Sequence, residues 1–132
     1  MCVLHVISKT KSFKNYSEKT SIPTYKVVDK NDLKNTSKNK KWGIYRISFS
    51  VSNKEWNKFH LQIKDSIKFL KEHKKSLKYL FLKYEVDHAY LDFPIDSRLD
   101  KNVLVQNDYI PYELNKLCGD LKISINLSYY SS

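Results

Sequence analysis

Five aspartates between residues 87 and 108 are the residues best suited to acid–base or cation chemistry. They are Asp87, Asp92, Asp96, Asp100 and Asp108. Neighbouring carboxylates can separate their pKa values to serve as acid and base, and their oxygens also bind Mg²⁺ or Ca²⁺. No His, Lys or Glu accompanies them at a recognisable catalytic spacing, so the pattern favours solvated loop and helix-cap residues. A hydrolase or metal-dependent enzyme that uses Asp92 and Asp108 is the less favoured alternative.

A row of lysines indicates a second kind of site. Its members step by four, three, four and three residues, and they are Lys64, Lys68, Lys71, Lys75 and Lys78. On an unbroken helix they fall within about 80° of arc, which would suit the phosphates of a nucleic acid or an acidic protein. A solvated helix face beside the core is the simpler interpretation. Because Lys74 falls on the apolar face of the same segment, we expect a break or bend near residues 73–75, and a break there would scatter the last two lysines.

Other catalytic patterns are absent from the sequence. The four histidines have no metal-ligand spacing with each other or with a cysteine, which is typical of packed, hydrogen-bonded histidines. Only Gly43 and Gly119 are present, so a glycine-rich phosphate loop is excluded. Cys118 precedes a glycine that we expect to end a helix, and it therefore lacks the helix N-terminus that would activate a thiolate. We expect neither a cofactor nor a metal ion.

Apolar periodicity predicts the elements that hold these residues. Short apolar runs and alternation predict strands at 3–7, 25–28, 42–51, 89–95 and 121–129, and helical spacing predicts helices at 12–20, after Ser52 and at 111–119. Ser52 and Glu55 match a capping box, so we expect the long helix to begin there. Pro94 places its strand at a sheet edge or near the strand end, and Gly119 is expected to terminate the third helix.

Together these elements predict one α+β domain over residues 1–132. Strands separated by helices that are apolar on one side favour a mostly antiparallel sheet of four to five strands, with one long and one or two short helices packed on one face. Residues 29–41 are rich in Lys and Asn and are expected to form a mobile loop. The apolar start ends at Ile7, too short for a signal peptide or a membrane span, so we expect a cytoplasmic protein without membrane contact.

The net charge of +10 suits an acidic partner, but its composition argues against specific nucleic-acid recognition. Of the 24 basic residues only Arg46 and Arg98 are arginines, the side chain preferred for bidentate contacts to phosphates and bases. The charge is also uneven, because residues 1–41 carry ten lysines and three acids, whereas residues 85–132 carry four basic and eight acidic residues. This asymmetry restricts where a partner would dock.

Short motifs in the second half of the chain resemble those of a group of small bacterial proteins that has no assigned activity. The motifs are Leu91-Asp92-Phe93, residues 105–111 (VQNDYIP) with Glu113-Leu114, and Leu127-Ser128-Tyr129, where the group has LDF, VQxD[YF][LI]PxEL and LSxY. The likeness includes IKFLKEH at 67–73 and covers residues 42–130. The chain departs from the group at Pro94, where glycine is usual, and in its Lys- and Asn-rich loop. The resemblance implies a bacterial origin and one folded domain, and it transfers no catalytic residue.

The sequence as a whole favours a non-enzymatic protein-binding module, of which an immunity protein of a toxin system is the most concrete form. Small size and strong charge asymmetry suit rapid, electrostatically steered association with a protein partner. Besides the lysine row, Asp92, Gln106 and Asp108 are candidate binding residues. The alternative is a non-specific nucleic-acid-binding protein that uses the lysine-rich helix face. A homodimer that pairs through edge strands is also compatible with the sequence.

Overall fold

The fold is a five-stranded sheet with three helices packed against it, which confirms the α+β prediction. The computed structural model describes residues 1–34 and 37–131. The strands are β1 (Cys2–Ser8), β2 (Thr24–Val28), β3 (Leu33–Lys34), β4 (Ser37–Lys41), β5 (Tyr45–Ser52), β6 (His88–Asp96) and β7 (Ser124–Tyr130), and the helices are α1 (Lys14–Lys19), α2 (Phe59–Lys83) and α3 (Tyr112–Leu121). None of the described helices is long and apolar enough to cross a membrane.

The sheet has the strand order β2-β5-β1-β6-β7, with the apolar strand β1 at its centre. The pairs β2–β5, β5–β1 and β1–β6 are antiparallel, which confirms the mostly antiparallel prediction. The β6–β7 pair is parallel. A parallel pair needs a long crossover connection, and here an irregular loop followed by α3 provides it.

The core lies between the helices and one face of the sheet. Leu4 on β1 stands opposite Phe49 on β5 and Leu91 on β6, and all three side chains are fully buried. Residues directly opposite on neighbouring strands share a face, so this register defines the covered side. Phe59 at the start of α2 packs edge-on against Phe93 with ring centroids 5.5 Å apart, and the other helices join the same core cluster. All three helices therefore cover one face, as the sequence predicts.

Helix α2 differs from the sequence prediction at its start and at its middle. Ser52 is the last residue of β5 and donates a hydrogen bond to Asp65 over 2.7 Å, so it does not cap the helix, and the capping-box prediction is wrong. The expected break near residues 73–75 is also wrong, because α2 continues without interruption to Lys83. Lys74 is accommodated there because its ammonium group lies 3.6 Å from the carboxylate of Asp120 on α3.

Pro94 and Gly119 were both expected to mark the ends of elements, and only the prediction for Pro94 is confirmed. Pairing between β1 and β6 ends at Val3 opposite Asp92, so Pro94 lies beyond it and near the strand end, as predicted. The strand itself is an inner one because β7 pairs along its other side. Gly119 does not end α3, which continues to Leu121, and Lys122 adopts the left-handed cap conformation with φ 57°. That prediction is wrong because Lys122 rather than the glycine turns the chain toward β7.

The polar segment 29–41 contains regular structure in its described part. Strands β3 and β4 pair in an antiparallel two-stranded sheet, while the predicted mobility of this segment stays a prediction. The next residue, Trp42, donates its backbone N–H to the Asp32 carbonyl over 3.0 Å, and Gly43 adopts φ +71°. Glycine tolerates this positive φ without strain, which allows the chain to turn into β5. Trp42 and Gly43 thus precede β5 and do not form its first residues.

Candidate functional site

The helix-free side of the sheet, here termed the open face, carries most of the polar side chains of the inner strands. Its position follows from register, because His5 stands opposite Ser48 and Tyr90, and Ile7 stands opposite Arg46 and His88. The open face comprises Val3, His5, Ile7, Lys26, Arg46, Ser48, His88, Tyr90, Asp92, Asn126 and Ser128. The alternation of Arg46 and Ser48 with apolar residues on β5 predicts a wetter strand face here, but the sequence did not identify it as a binding surface.

The centre of the open face is an aromatic row with a neutral histidine. His5 Nδ1 lies 2.7 Å from Ser48 Oγ, at hydrogen-bond distance. The ring of Tyr90 lies between two imidazoles, with centroids 5.0 Å from that of His5 and 5.2 Å from that of His88. Burial and the nearby charge of Arg46 lower the pKa of His5, with Asp92 opposing them in part. The row therefore presents planar, polarisable rings to a ligand.

Asp92, a predicted site residue, is a hydrogen-bond acceptor on the open face. Its Oδ1 atom accepts hydrogen bonds from Asn126 Nδ2 and Ser128 Oγ, each over 2.8 Å. Both partners lie on β7, which pairs with β6 in parallel register. The arrangement ties the edge strand to its neighbour through side chains. It gives the carboxylate neutral donors rather than an acid–base partner.

Gln106 and Asp108, the other two predicted site residues, brace the loop that connects β6 to α3. This segment, termed the connecting loop, comprises residues 97–111. Asp108 accepts a hydrogen bond from the guanidinium of Arg98 over 2.8 Å and another from Gln106 Nε2 over 2.8 Å. Gln106 Oε1 in turn accepts from the Arg98 backbone N–H over 2.7 Å. The loop is therefore cross-linked between residues eight to ten positions apart.

The charge of Asp108 is stabilised by this bracing. Burial alone would raise the pKa of Asp108, but hydrogen bonds from Arg98 and Gln106 and the positive charge of Arg98 outweigh it, so the pKa is lowered. Arg98 also contacts Asp96 at 3.2 Å. These two carboxylates therefore share Arg98 as a structural cation.

The structure does not unite the five aspartates in one site. Asp92 binds side chains of β7, whereas Asp96 and Asp108 bind Arg98. Asp87 accepts the backbone N–H of Lys9 over 2.7 Å, and Asp100 accepts the N–H groups of residues 102 and 103. Within residues 1–34 and 37–131, no group of three or more His, Cys, Asp or Glu side chains could hold a metal ion.

The lysine row is intact because α2 does not break. All five members are exposed, so they form one continuous stripe along the helix. Two of them already have acidic neighbours: Lys68 lies 3.9 Å from Glu72, and Lys71 pairs with Glu113 of α3. Among the described residues, no acidic side chain forms an ion pair with Lys64, Lys75 or Lys78. The stripe is thus a partly neutralised cationic surface.

The connecting loop displays a set of apolar side chains that the sequence interpretation missed. Its exposed members and the adjoining helix residue are Leu99, Val103, Leu104, Val105, Tyr109 and Tyr112. Leu104 is 79% exposed and Tyr109 is 83% exposed. The signal was the apolar run of residues 103–105, which resembles a short strand. Ser97 donates its N–H to the Tyr130 carbonyl over 2.8 Å, so the loop begins beside the end of β7.

One surface depression near the end of α2 contains acidic side chains that already have partners among the described residues. This cavity of about 370 Å³ lies between the end of α2, the start of β6 and the end of α3. Its two acids, Asp87 and Asp120, already bind the Lys9 amide and the lysines 74 and 116. The surfaces that carry recognisable chemistry are therefore the open face and the connecting loop. Comparison with protein-family models, curated proteins and solved structures finds no match for this chain.

Proposed function

We propose that this chain is a protein-binding module without enzymatic activity, which acts in the bacterial cytoplasm and engages its partner through the connecting loop. Its most concrete form is an immunity protein that neutralises a toxin. The observation that carries the proposal is the display of large apolar side chains on a loop whose backbone is braced by Arg98, Gln106 and Asp108.

The exposure of these apolar side chains to water is unfavourable in free energy. Placing Leu104, Val105 and Tyr109 in water forgoes the burial that a folded chain normally gives such side chains. Clustered apolar exposure on a small protein commonly marks a surface that another molecule covers. Irregular loops of this length are uncommon in compact domains and are usually either functional or disordered, and the internal bracing of this loop favours the first.

The bracing makes the loop suited to binding. A loop that must order itself on association loses conformational entropy, and this loss subtracts from affinity. Here Asp108, whose side chain is 8% exposed, fixes the loop from within while the apolar side chains point outward. Tyrosines are favoured interface anchors, and Tyr109 and Tyr112 stand at the end of the loop.

The charge distribution supports a particular kind of partner. Residues 85–132 carry eight acids and four basic residues, so the part of the chain that contains the loop has a net negative charge. A partner with a complementary basic rim would be steered toward it. Toxins that act on nucleic acids have such surfaces, which is consistent with the immunity-protein form of the proposal.

A point substitution in the loop tests the proposal against a matched control. The partner is first captured from the native host with the tagged chain at moderate salt, purified, and titrated by calorimetry. Leu104→Asp is expected to weaken binding by about tenfold or more, because the aspartate places a charge in the buried centre of the interface. Leu82→Asp is the control, since Leu82 on α2 is also highly exposed, at 84%.

Different results separate the parts of the proposal. Equal affinities for both variants would remove the loop as the interface. A partner that is nucleic acid and dissociates at moderate salt would instead support the lysine row, and Lys64→Gln/Lys75→Gln/Lys78→Gln should then abolish retention. If the captured protein is harmless when expressed alone, the chain is a binding module but not an immunity protein.

A further inference from the structure

Three cations converge on the indole of Trp42 beside the open face. The guanidinium carbon of Arg46 lies 4.4 Å from the ring centroid. The ammonium groups of Lys26 and Lys34 lie 5.6 and 5.3 Å from the same centroid. Each contact is a cation–π interaction, which is individually favourable. Together they concentrate three positive charges around one ring.

No carboxylate balances this cluster among the described residues. None of Lys26, Lys34 and Arg46 makes an ion pair with them, and residues 35 and 36, which lie outside the described ranges, are Asn and Thr. Arg46 Nε is buried and has no hydrogen-bond partner within those residues. A buried donor without a partner is unfavourable, and like charges held close together repel. A bound anion would offset the repulsion between the three cations.

The cluster borders the aromatic row on the same surface. Arg46 on β5 and His88 on β6 both stand opposite Ile7 of β1, so their backbones are about 10 Å apart across the sheet, and Tyr90 lies two residues further along β6. The Arg46 guanidinium interacts electrostatically with two groups of the row. Arg46 helps to lower the pKa of His5. Burial lowers the pKa of Arg46 itself, and the nearby Tyr90 opposes that shift. A ligand can therefore contact the cations and the rings at once.

We propose that the open face binds a nucleotide, with its phosphate at Arg46, Lys26 and Lys34 and its base against the rings of Tyr90 and His88. A guanidinium stacked on an indole is held in place and presents its fork to two phosphate oxygens. Aromatic side chains on a sheet stack bases without selecting their identity. The nucleotide is either free or one unit of a single strand, because both offer the same phosphate and base. This site is separate from the connecting loop and independent of the protein-binding proposal.

Trp42 provides the reporter for the test. The chain contains two tryptophans, and Trp56→Phe leaves Trp42 as the only indole. Inorganic phosphate, adenosine 5′-monophosphate and an eight-nucleotide deoxyadenylate strand are titrated separately, with fluorescence and calorimetry as readouts. Adenosine monophosphate is expected to bind with a Kd below about 1 mM and more tightly than inorganic phosphate. A strand that binds about tenfold more tightly still identifies single-stranded nucleic acid as the source, and equal affinities identify the free nucleotide.

Two charge-matched variants locate the site. Lys26→Gln/Lys34→Gln/Arg46→Gln is expected to weaken nucleotide binding by about tenfold or more, because three phosphate contacts are lost. Lys64→Gln/Lys75→Gln/Lys78→Gln removes the same charge from α2 and should leave affinity within about twofold at matched ionic strength. Arg46→Lys keeps the charge and lacks the planar fork, so it should bind several-fold more weakly with its fold intact. Tyr90→Leu should weaken binding of the nucleotide and leave binding of inorganic phosphate unchanged.

Several results would overturn the inference. Absence of binding by both adenosine monophosphate and the strand excludes the site. Equal losses in the two triple variants mean that net charge alone attracts the probes. Equal affinity for phosphate and adenosine monophosphate, with no effect of Tyr90→Leu, removes the aromatic row from the interaction. Circular dichroism and thermal unfolding of each variant distinguish lost binding from lost structure.

Discussion

His5 is kept neutral by its place on the open face. Its pKa lies below the ordinary value of 6.5, because burial and then the charge of Arg46 lower it more than Asp92 raises it. The unfolded chain therefore binds more protons than the folded chain as the pH falls through 6.5. The contribution of neutral His5 to the free energy of unfolding is complete above pH 6.5. It is lost as the pH falls through the lowered pKa of His5 in the folded state.

The expected result is a free energy of unfolding that decreases between about pH 7.5 and pH 5, with part of that decrease absent in His5→Gln. Urea unfolding at a series of pH values measures it. His60→Gln is the matched control, since His60 is exposed on α2. If the free energy of unfolding of His5→Gln had the same pH dependence as that of the parent chain, the lowered pKa of His5 would be contradicted.

Residue roles were predicted less well than residue positions. The aspartates and Gln106 were recognisable as polar side chains with possible functions, but their roles depend on Arg98, eight to ten residues earlier in the chain. An irregular loop has no periodicity from which such pairs could be inferred. The cation cluster around Trp42 was missed because β2, β3, β5 and Trp42 itself meet only in the fold.

The C-terminal end of helix α3 offers two substitutions that should raise the stability of the fold. Gly119 lies within the helix, and an added Cβ would meet nothing within 4 Å. Lys122, by contrast, holds φ 57°, a conformation that costs a residue with a Cβ about 1 kcal/mol. The two residues are thus interchanged relative to the usual preference for glycine at a helix C-cap.

Gly119→Ala and Lys122→Gly are each expected to stabilise the fold, by about 0.5–1 kcal/mol. The first reduces the conformational freedom of the unfolded chain, and the second removes the strain at the cap. Their effects should combine in the double variant, apart from any coupling between close sites. Chemical denaturation of the single and double variants checks this, and destabilisation by either would show that the local reading of α3 is incorrect.

The elements themselves followed largely from the sequence pattern. Alternation located β5, β6 and β7 because each turns its apolar residues toward the core, fully buried in β6 and half-buried in β7, and the apolar run of β1 indicated a central strand. The start and continuity of α2 did not follow, since Ser52 binds Asp65 and Lys74 reaches Asp120, contacts that the tertiary fold creates. Parallel pairing of β6 with β7 was equally invisible, because strand periodicity is the same in both directions.

Elements along the whole chain contribute to one hydrophobic core, and the reactivity of its two cysteine thiols measures how often that core opens. Burial raises the pKa of Cys2 to about 12, with Ser66 lowering it only in part, and burial raises that of Cys118 to about 11. Cys2 lies in the central strand and Cys118 in α3, and both are free and buried. Each thiol is thus protonated and shielded while the fold persists.

A thiol-specific reagent at pH 8 should therefore label both cysteines slowly and together, roughly a thousandfold or more below their rate in denaturant. Mass spectrometry counts the labels, and Cys118→Ser isolates the signal of Cys2. Rapid modification of one thiol in native buffer would mean that α3 opens separately from the sheet.

The central place of β1 has a consequence for synthesis of the chain. Val3 pairs with Ser50 and Asp92, which leave the ribosome long after it. At a translation rate of about 5–20 residues per second, the interval before Asp92 follows is roughly 4–18 s. For that time the most apolar strand of the sheet lacks one of its neighbours, and its backbone offers hydrogen bonds to any other strand in reach. The growing chain thus carries its greatest risk of misassociation before β6 has been synthesised.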